Sequence, residues 1–133
     1  MCLRTDAMVK LIHADSAQLI ELARELLLEY ASSLDFDLGF QGFDRELAEL
    51  PGEYAPPDGR LVLAIRDGEA VGCVALRRIA HDVCEMKRLY VRPDCRGMGI
   101  GRFLAIVAIE EARQIGYQRM RLDTVPSMKG SVT

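Results

Sequence analysis

The residues of this chain best suited to chemistry stand in the run VRPDCRGMGIGRFL, from Val91 to Leu104. Gly97, Gly99 and Gly101 alternate between Arg96 and Arg102, where an apolar strand-like run gives way to an amphipathic helix-like one. The first turn of a helix leaves backbone N–H groups without partners and carries the positive end of the summed peptide dipole, so it suits an anion. Glycines there remove the Cβ atoms that would hold a bulky phosphate off the backbone, and the two arginines add positive charge beside the amides. The pattern reads as a cradle for a pyrophosphate. Taken alone, such a turn also has a plainer reading, in which Gly97 and Gly99 satisfy turn geometry and Gly101 permits close helix packing.

Two other phosphate-binding patterns fail on the residues. A P-loop ends in Gly-Lys followed by a hydroxyl residue, whereas Gly101 is followed by Arg102 and Phe103. A dinucleotide fingerprint could use Gly99 and Gly101, with Asp123 downstream, but Leu104 takes the third small position and too little chain remains for the strands of that fold. Metal chemistry finds no ligand set either. Cys2, Cys73, Cys84 and Cys95 form no CxxC pair, and His13 and His81 fall in unrelated segments, so reduced thiols and no metal are expected. Cys95, beside Arg96, could be an activated thiol, but its place at the anion end makes it a tolerated, oxidation-prone loop residue. Cys73 and Cys84 read as core, and His81 as a solvated turn residue.

The elements that must position the glycine-rich turn follow from periodicity. A short apolar run at Met8, Val9, Leu11 and Ile12 predicts a strand. Asp15 then precedes Leu19, Leu22, Ala23, Leu26, Leu27 and Tyr30 at helical spacing, with Gln18 completing a capping box. The stretch from Ser32 to Gly59 is irregular apart from a helical piece over 44–50 that Pro51 should end. Asp67-Gly68 joins two β-rich runs as a two-residue hairpin turn. CEMKRLYV predicts a third strand, which Pro93 should terminate. From Gly99 to Gly116, Ile100, Phe103, Leu104, Val107, Ala108, Ala112 and Ile115 mark one helix face, with Gly116 as the C-terminal cap. The following YQRMRLDTV alternates as a strand, and the strand-helix-strand order implies parallel pairing by a right-handed crossover. Tyr30, Phe36, Phe40 and Phe43 either pack the core, the expectation for each taken singly, or line a cleft for the acceptor.

Bulk properties narrow the classes. A chain of 133 residues, half of them apolar, suits a single domain over 1–133. A net charge of −3 and pI near 5.4 give no reason to expect nucleic acid as a partner, and the charges of RRIAHDVCEMKRLYVRP read as solvated strand faces. No run is apolar enough for a membrane span or a signal peptide, so a cytoplasmic protein is expected.

RGMGIG, Arg96 to Gly101, resembles the Gln/Arg-x-x-Gly-x-Gly/Ala signature of the GNAT superfamily of acetyl-CoA-dependent N-acetyltransferases. The preceding strand CEMKRLYV, the following helix, the hairpin and the later MRLDT are similar to the order of elements in that family. The resemblance implies an α/β fold with a mixed, mostly antiparallel sheet flanked by helices and one parallel pair around a splayed acetyl-CoA cleft. It implies that backbone amides of Arg96, Gly97, Met98, Gly99, Ile100, Gly101 and Arg102 hold the CoA pyrophosphate. It also implies that Leu89, Tyr90 and Val91 pair their backbones with the pantetheine arm and the thioester carbonyl, as though the substrate were a strand. Leu89, Tyr90 and Asp123 should border that gap.

The activity so implied is direct transfer of an acetyl group from acetyl-CoA to a primary amine of a small molecule or peptide. By the same resemblance Glu85, eleven residues before Arg96, stands where histone-type members place a general-base glutamate acting through water. A strand carboxylate has a second common fate, pairing with Lys87, Arg88 or an arginine on a neighbouring strand. Strand alternation would put Glu85, Lys87 and Leu89 on one face. Members of the family usually continue past LDT with a helix and two strands, the helix often bearing a tyrosine that protonates the departing thiolate, whereas this sequence ends VPSMKGSVT. That leaves a catalytically impaired CoA-binding or assembly module as the alternative, and an open edge on the last strand that favours a homo-oligomer.

Overall fold

The computed structural model describes residues 2–6, 9–34 and 42–122. Met8, Phe36, Phe40 and Asp123 lie outside them. Among the described residues six strands follow in chain order: β1 (Cys2–Asp6), β2 (Val9–His13), β3 (Arg60–Arg66), β4 (Glu69–Ala80), β5 (Val83–Val91) and β6 (Arg119–Leu122). Three α-helices are interspersed among them, α1 (Ala17–Ser32) and α2 (Phe43–Glu49) before β3, and α3 (Ile100–Ile115) between β5 and β6. The sheet order is also the chain order, antiparallel from β1 to β5, with β6 added parallel to β5. The expected mixed, mostly antiparallel sheet with one parallel pair is thus present. β1 is an addition: CLRTD has no apolar alternation, and its strand conformation comes from pairing with β2.

Local chemistry explains the punctuation. Asp67 and Gly68 hold φ of 52° and 81°, as a tight hairpin between β3 and β4 demands. At the start of α1 the cap is Ser16 rather than Asp15: the Ser16 hydroxyl accepts from the Leu19 amide at 3.2 Å, so the box with Gln18 does not form. α3 begins and ends on left-handed glycines, Gly99 at φ 79° and Gly116 at 112°.

The sheet has a core on each face. On one, Leu61, Leu63, Cys73, Ala75 and Tyr90 pack against Ala23, Leu26, Leu27 and Tyr30 of α1 and Phe43 and Leu47 of α2. On the other, Val62, Ala64, Val74, Met86 and Val91 pack against Ile100, Leu104, Val107 and Ala108 of α3. Gly72 lets α3 approach: a Cβ there would stand 3.0 Å from the Tyr90 carbonyl oxygen and 3.1 Å from Leu104 Cδ1. Cys73 and Cys84 are core residues as expected, and His81 is exposed. Cys95 is not the accessible loop thiol its position suggests, because its turn folds it inward to 3% exposure among the residues packed on α3.

Candidate active site

β5 carries the site because its two edges are treated differently. Toward β4 it stays paired to its end, and the ladder continues one residue further with Arg92 N–H donating to Val71 O at 2.8 Å. Toward β6 it is paired only from Val83 to Met86, so from Lys87 to Val91 that edge has no strand partner among the described residues. Since the Arg92 amide points at β4, the alternation of an antiparallel ladder turns the backbone groups of Val91 and Leu89 to the open edge. The Val91 carbonyl accepts from Arg96 Nε at 2.9 Å, which leaves the Val91 N–H and the groups of Leu89 as those an extended amide could satisfy.

The expected alternation of side chains fails within β5. Ala75 pairs with Lys87 and Cys73 with Tyr90, so Arg88 and Leu89 together oppose Val74: a β-bulge. Arg88 adopts φ 58°, rare for a residue with a side chain. Arg88 therefore turns to the same face as Glu85 and Lys87, among Tyr30 and Phe43, while Leu89 crosses to the α3 core. Glu85, Lys87 and Leu89 do not share a face.

The glycine-rich turn lies at the end of this open edge. The first intrahelical bond of α3 runs from Phe103 N to Gly99 O at 3.0 Å, so the N–H groups of Ile100, Gly101 and Arg102 have no acceptor within the helix. No side chain caps the helix and its first turn holds no acidic residue. Gly97 (φ 86°) and Gly99 have nothing within 4 Å of where a Cβ would be, and Met98 and Arg102 are exposed. Ile100 sends its side chain into the core and leaves only its backbone to the turn. An open, uncapped, carboxylate-free helix start fits a diphosphate. Arg96 does not extend over those amides. It folds back to donate from Nε to the Val91 carbonyl at 2.9 Å and lies over the Tyr90 ring, 5.7 Å from its centroid.

Ion pairs between the layers surround the bulge, and the sequence reading missed most of them. Arg88, 1% exposed, meets Glu46 of α2 with two bonds, Nε to Oε2 at 3.0 Å and Nη2 to Oε1 at 2.8 Å. Burial favours the neutral form of Glu46, yet the hydrogen bonds and charge of Arg88, helped by Tyr54 and Lys87, outweigh it and hold the carboxyl below its usual pKa. Arg92 grips Glu29 of α1 through Nη2 to Oε2 at 2.7 Å, and Tyr90 donates its hydroxyl to Glu29 Oε1 at 3.3 Å. Burial first, then Glu29, raises the pKa of that phenol. Glu85 takes the fate of a strand carboxylate: Arg77 on β4 donates to its Oε1 at 2.9 Å and also reaches Glu53 at 3.1 Å. Among the described residues no hydrogen bond reaches Glu85 Oε2. The readable sign of the bulge was the adjacent pair Lys87-Arg88, which breaks the alternation of VCEMKRLYV.

The comparisons meet this geometry. The model of the acetyltransferase (GNAT) family matches residues 18–132. The chain belongs to that family. Over 110 residues this GNAT chain is 42% identical to an uncharacterized N-acetyltransferase of Schizosaccharomyces pombe, covering 80% of this chain and 67% of that protein. It is 34% identical over 115 residues to the aminoalkylphosphonate N-acetyltransferase of Salmonella typhimurium, covering 83% of this chain and 68% of that protein. The solved PaiA N-acetyltransferase of Thermoplasma acidophilum, in complex with coenzyme A, superposes with a TM-score of 0.65 at 21% identity, over 86% of this chain and 77% of that one. The GNAT chain is therefore an acyltransferase, of a family that uses acetyl-CoA. Among its described residues no helix is long and apolar enough to cross a membrane, and no group of His, Cys, Asp and Glu could hold a metal ion.

Proposed function

We propose that the protein binds acetyl-CoA along the open edge of β5 and transfers its acetyl group to a primary amine of a small molecule or peptide, by direct attack in a ternary complex. The observation that carries this reading is the juxtaposition of a strand edge at Leu89–Val91, unpaired among the described residues, with the uncapped start of α3 beyond it. The diphosphate accepts from the amides of the turn from Gly97 to Arg102, the Arg96 amide being held by the Pro93 carbonyl at 3.3 Å. The pantetheine amides take the place of the missing strand. A main-chain N–H of the edge donates to the thioester oxygen, where negative charge grows as the carbonyl carbon becomes tetrahedral.

The amine nitrogen attacks that carbon, the C–N bond forms, and the C–S bond breaks with its electron pair on sulfur. The attacking nitrogen must lose a proton, and Glu85 is the base we assign to take it through a water. Arg77 occupies Oε1 and fixes the carboxylate on its strand, which leaves Oε2 to accept. The departing thiolate takes up one proton, so charge balances over the cycle. Thiol release from acetyl-CoA with a panel of amines tests the reading. Amine-dependent thiol supports it. A melting temperature raised by CoA with no thiol formed in the presence of any amine refutes catalysis and leaves a binding module.

A further inference from the structure

The bulge in β5 needs an explanation that the ladder itself does not supply. A residue with a side chain resists φ near 58°, and a strand without the bulge would turn the backbone groups after Lys87 the other way. Two contacts oppose that reversal. The Arg88 guanidinium is fastened to Glu46 through two bonds and lies 5.8 Å from the Tyr30 ring centroid and 5.3 Å from that of Phe43. The Arg88 carbonyl accepts from the Cys73 thiol at 3.4 Å. Burial pushes the pKa of that thiol up to about 12, so it remains a donor at neutral pH.

We infer that Arg88 is a positioning residue for acyl transfer: clamped by Glu46 at its side chain and by Cys73 at its carbonyl, it holds the bulge that directs the Leu89–Val91 edge into the thioester gap. The inference rests on the function proposed above. Arg88 touches no reacting atom, and its effect passes through the backbone of the next residues. The diphosphate docks beyond Pro93, at the start of α3, whereas the pantetheine amides pair with the edge that the clamp directs. Loss of the clamp therefore lowers kcat and weakens CoA by the pantetheine hydrogen bonds, with the amides of the turn still in place.

The test compares two double variants in which no charge is left without its partner, Glu46→Gln with Arg88→Met and Glu46→Gln with Arg88→Gly. Methionine fills the site but resists positive φ, whereas glycine accepts it freely. Assayed well below the melting temperature of each protein, the methionine variant should lose at least about tenfold in kcat, as displaced reacting groups do. Its Kd for CoA should rise about 5–30-fold, the worth of one or two lost amide hydrogen bonds. The glycine variant should regain most of the lost kcat. Equal losses in both would assign the effect to the guanidinium itself, and no loss in either would remove any role; each result overturns the clamp. Should a double variant melt below the assay temperature, Glu46→Gln alone decides, with the same tenfold fall expected and an unchanged kcat refuting. A wild type without amine-dependent turnover refutes the acyl-transfer reading and the clamp with it, while turnover in wild type with kcat retained in the variants refutes the clamp alone.

Discussion

Gly99 offers the sharpest test of the anion site, because charge acts there in opposite directions on stability and on binding. It is exposed, caps α3 from a left-handed conformation, and has open space beyond its Cβ position. Asn and Asp tolerate that conformation better than other residues and differ from each other in little but charge. Either substitution costs on the order of 1 kcal/mol of stability through the backbone. Asp should cost less than Asn, since a negative charge at a helix start gains about 0.3–1 kcal/mol from the dipole. Binding should invert that order. Two charges about 5 Å apart repel by about 0.8 kcal/mol in water. A diphosphate with about two charges thus loses about 1.6 kcal/mol, or about 15-fold in Kd. Titration calorimetry with CoA should find Gly99→Asn within about threefold of wild type and Gly99→Asp about 15-fold weaker, with the gap narrowing at about 0.5 M salt. Equal Kd values for the two variants, or a gap that salt does not change, would refute an anion held on the amides of this turn.

Two further outcomes concern the fold that carries the site. Glu111 of α3 is buried and accepts from His13 Nε2 at 2.9 Å and Arg60 Nε at 2.8 Å. Burial alone would raise its pKa, but His13 and Arg60 reverse this and hold it below the ordinary 4.5. A depressed folded-state value means the stabilisation is complete above 4.5 and fades as pH falls below it. Glu111→Gln should therefore cost about 1–3 kcal/mol at pH 7 in urea melts, with the difference from wild type shrinking toward pH 3; a difference independent of pH would contradict this. Gly59 admits no side chain, because a Cβ would stand 2.4 Å from the Glu53 carbonyl oxygen and 2.6 Å from the Tyr54 backbone. Gly59→Ala should lose about 3 kcal/mol or fail to fold, and an unchanged urea midpoint would show that the turn before β3 yields readily.

What the sequence disclosed and what it hid divide along physical lines. α3, the Asp67-Gly68 hairpin and the parallel β5–β6 pair were legible because each rests on local signals: a helical period, a dipeptide suited to positive φ, a strand-helix-strand order. The glycine-rich turn was legible for the same reason. The bulge left only the Lys87-Arg88 break in alternation as a sign, since a slip of one residue is decided by what lies across the sheet, Val74 on one side and Glu46 on the other. Glu111 could have been found: Val107, Ala108, Ala112 and Ile115 mark an apolar stripe on α3, and a carboxylate at 111 falls on it. A charge at such a position needs partners, and His13 and Arg60 come from strands more than fifty residues away, which no local pattern names.

The ion pairs between helices and sheet differ in kind, and the difference follows the needs of the site. At the bulge the pair is buried on the arginine side, bidentate and backed by two rings, so salt screens it little and removing one partner is costly. Near the end of β5 the Glu29–Arg92 pair has side chains 38% and 27% exposed, where solvent and salt weaken such contacts to about 1 kcal/mol or less. The seam between the helical layer and β5 is thus firm where the backbone must keep an unfavourable conformation and weak toward the turn that the diphosphate enters. A uniformly rigid seam would hold the bulge no better, because the strain is confined to one residue. A uniformly weak seam would let Arg88 relax into regular pairing and close the edge on which the proposed chemistry depends.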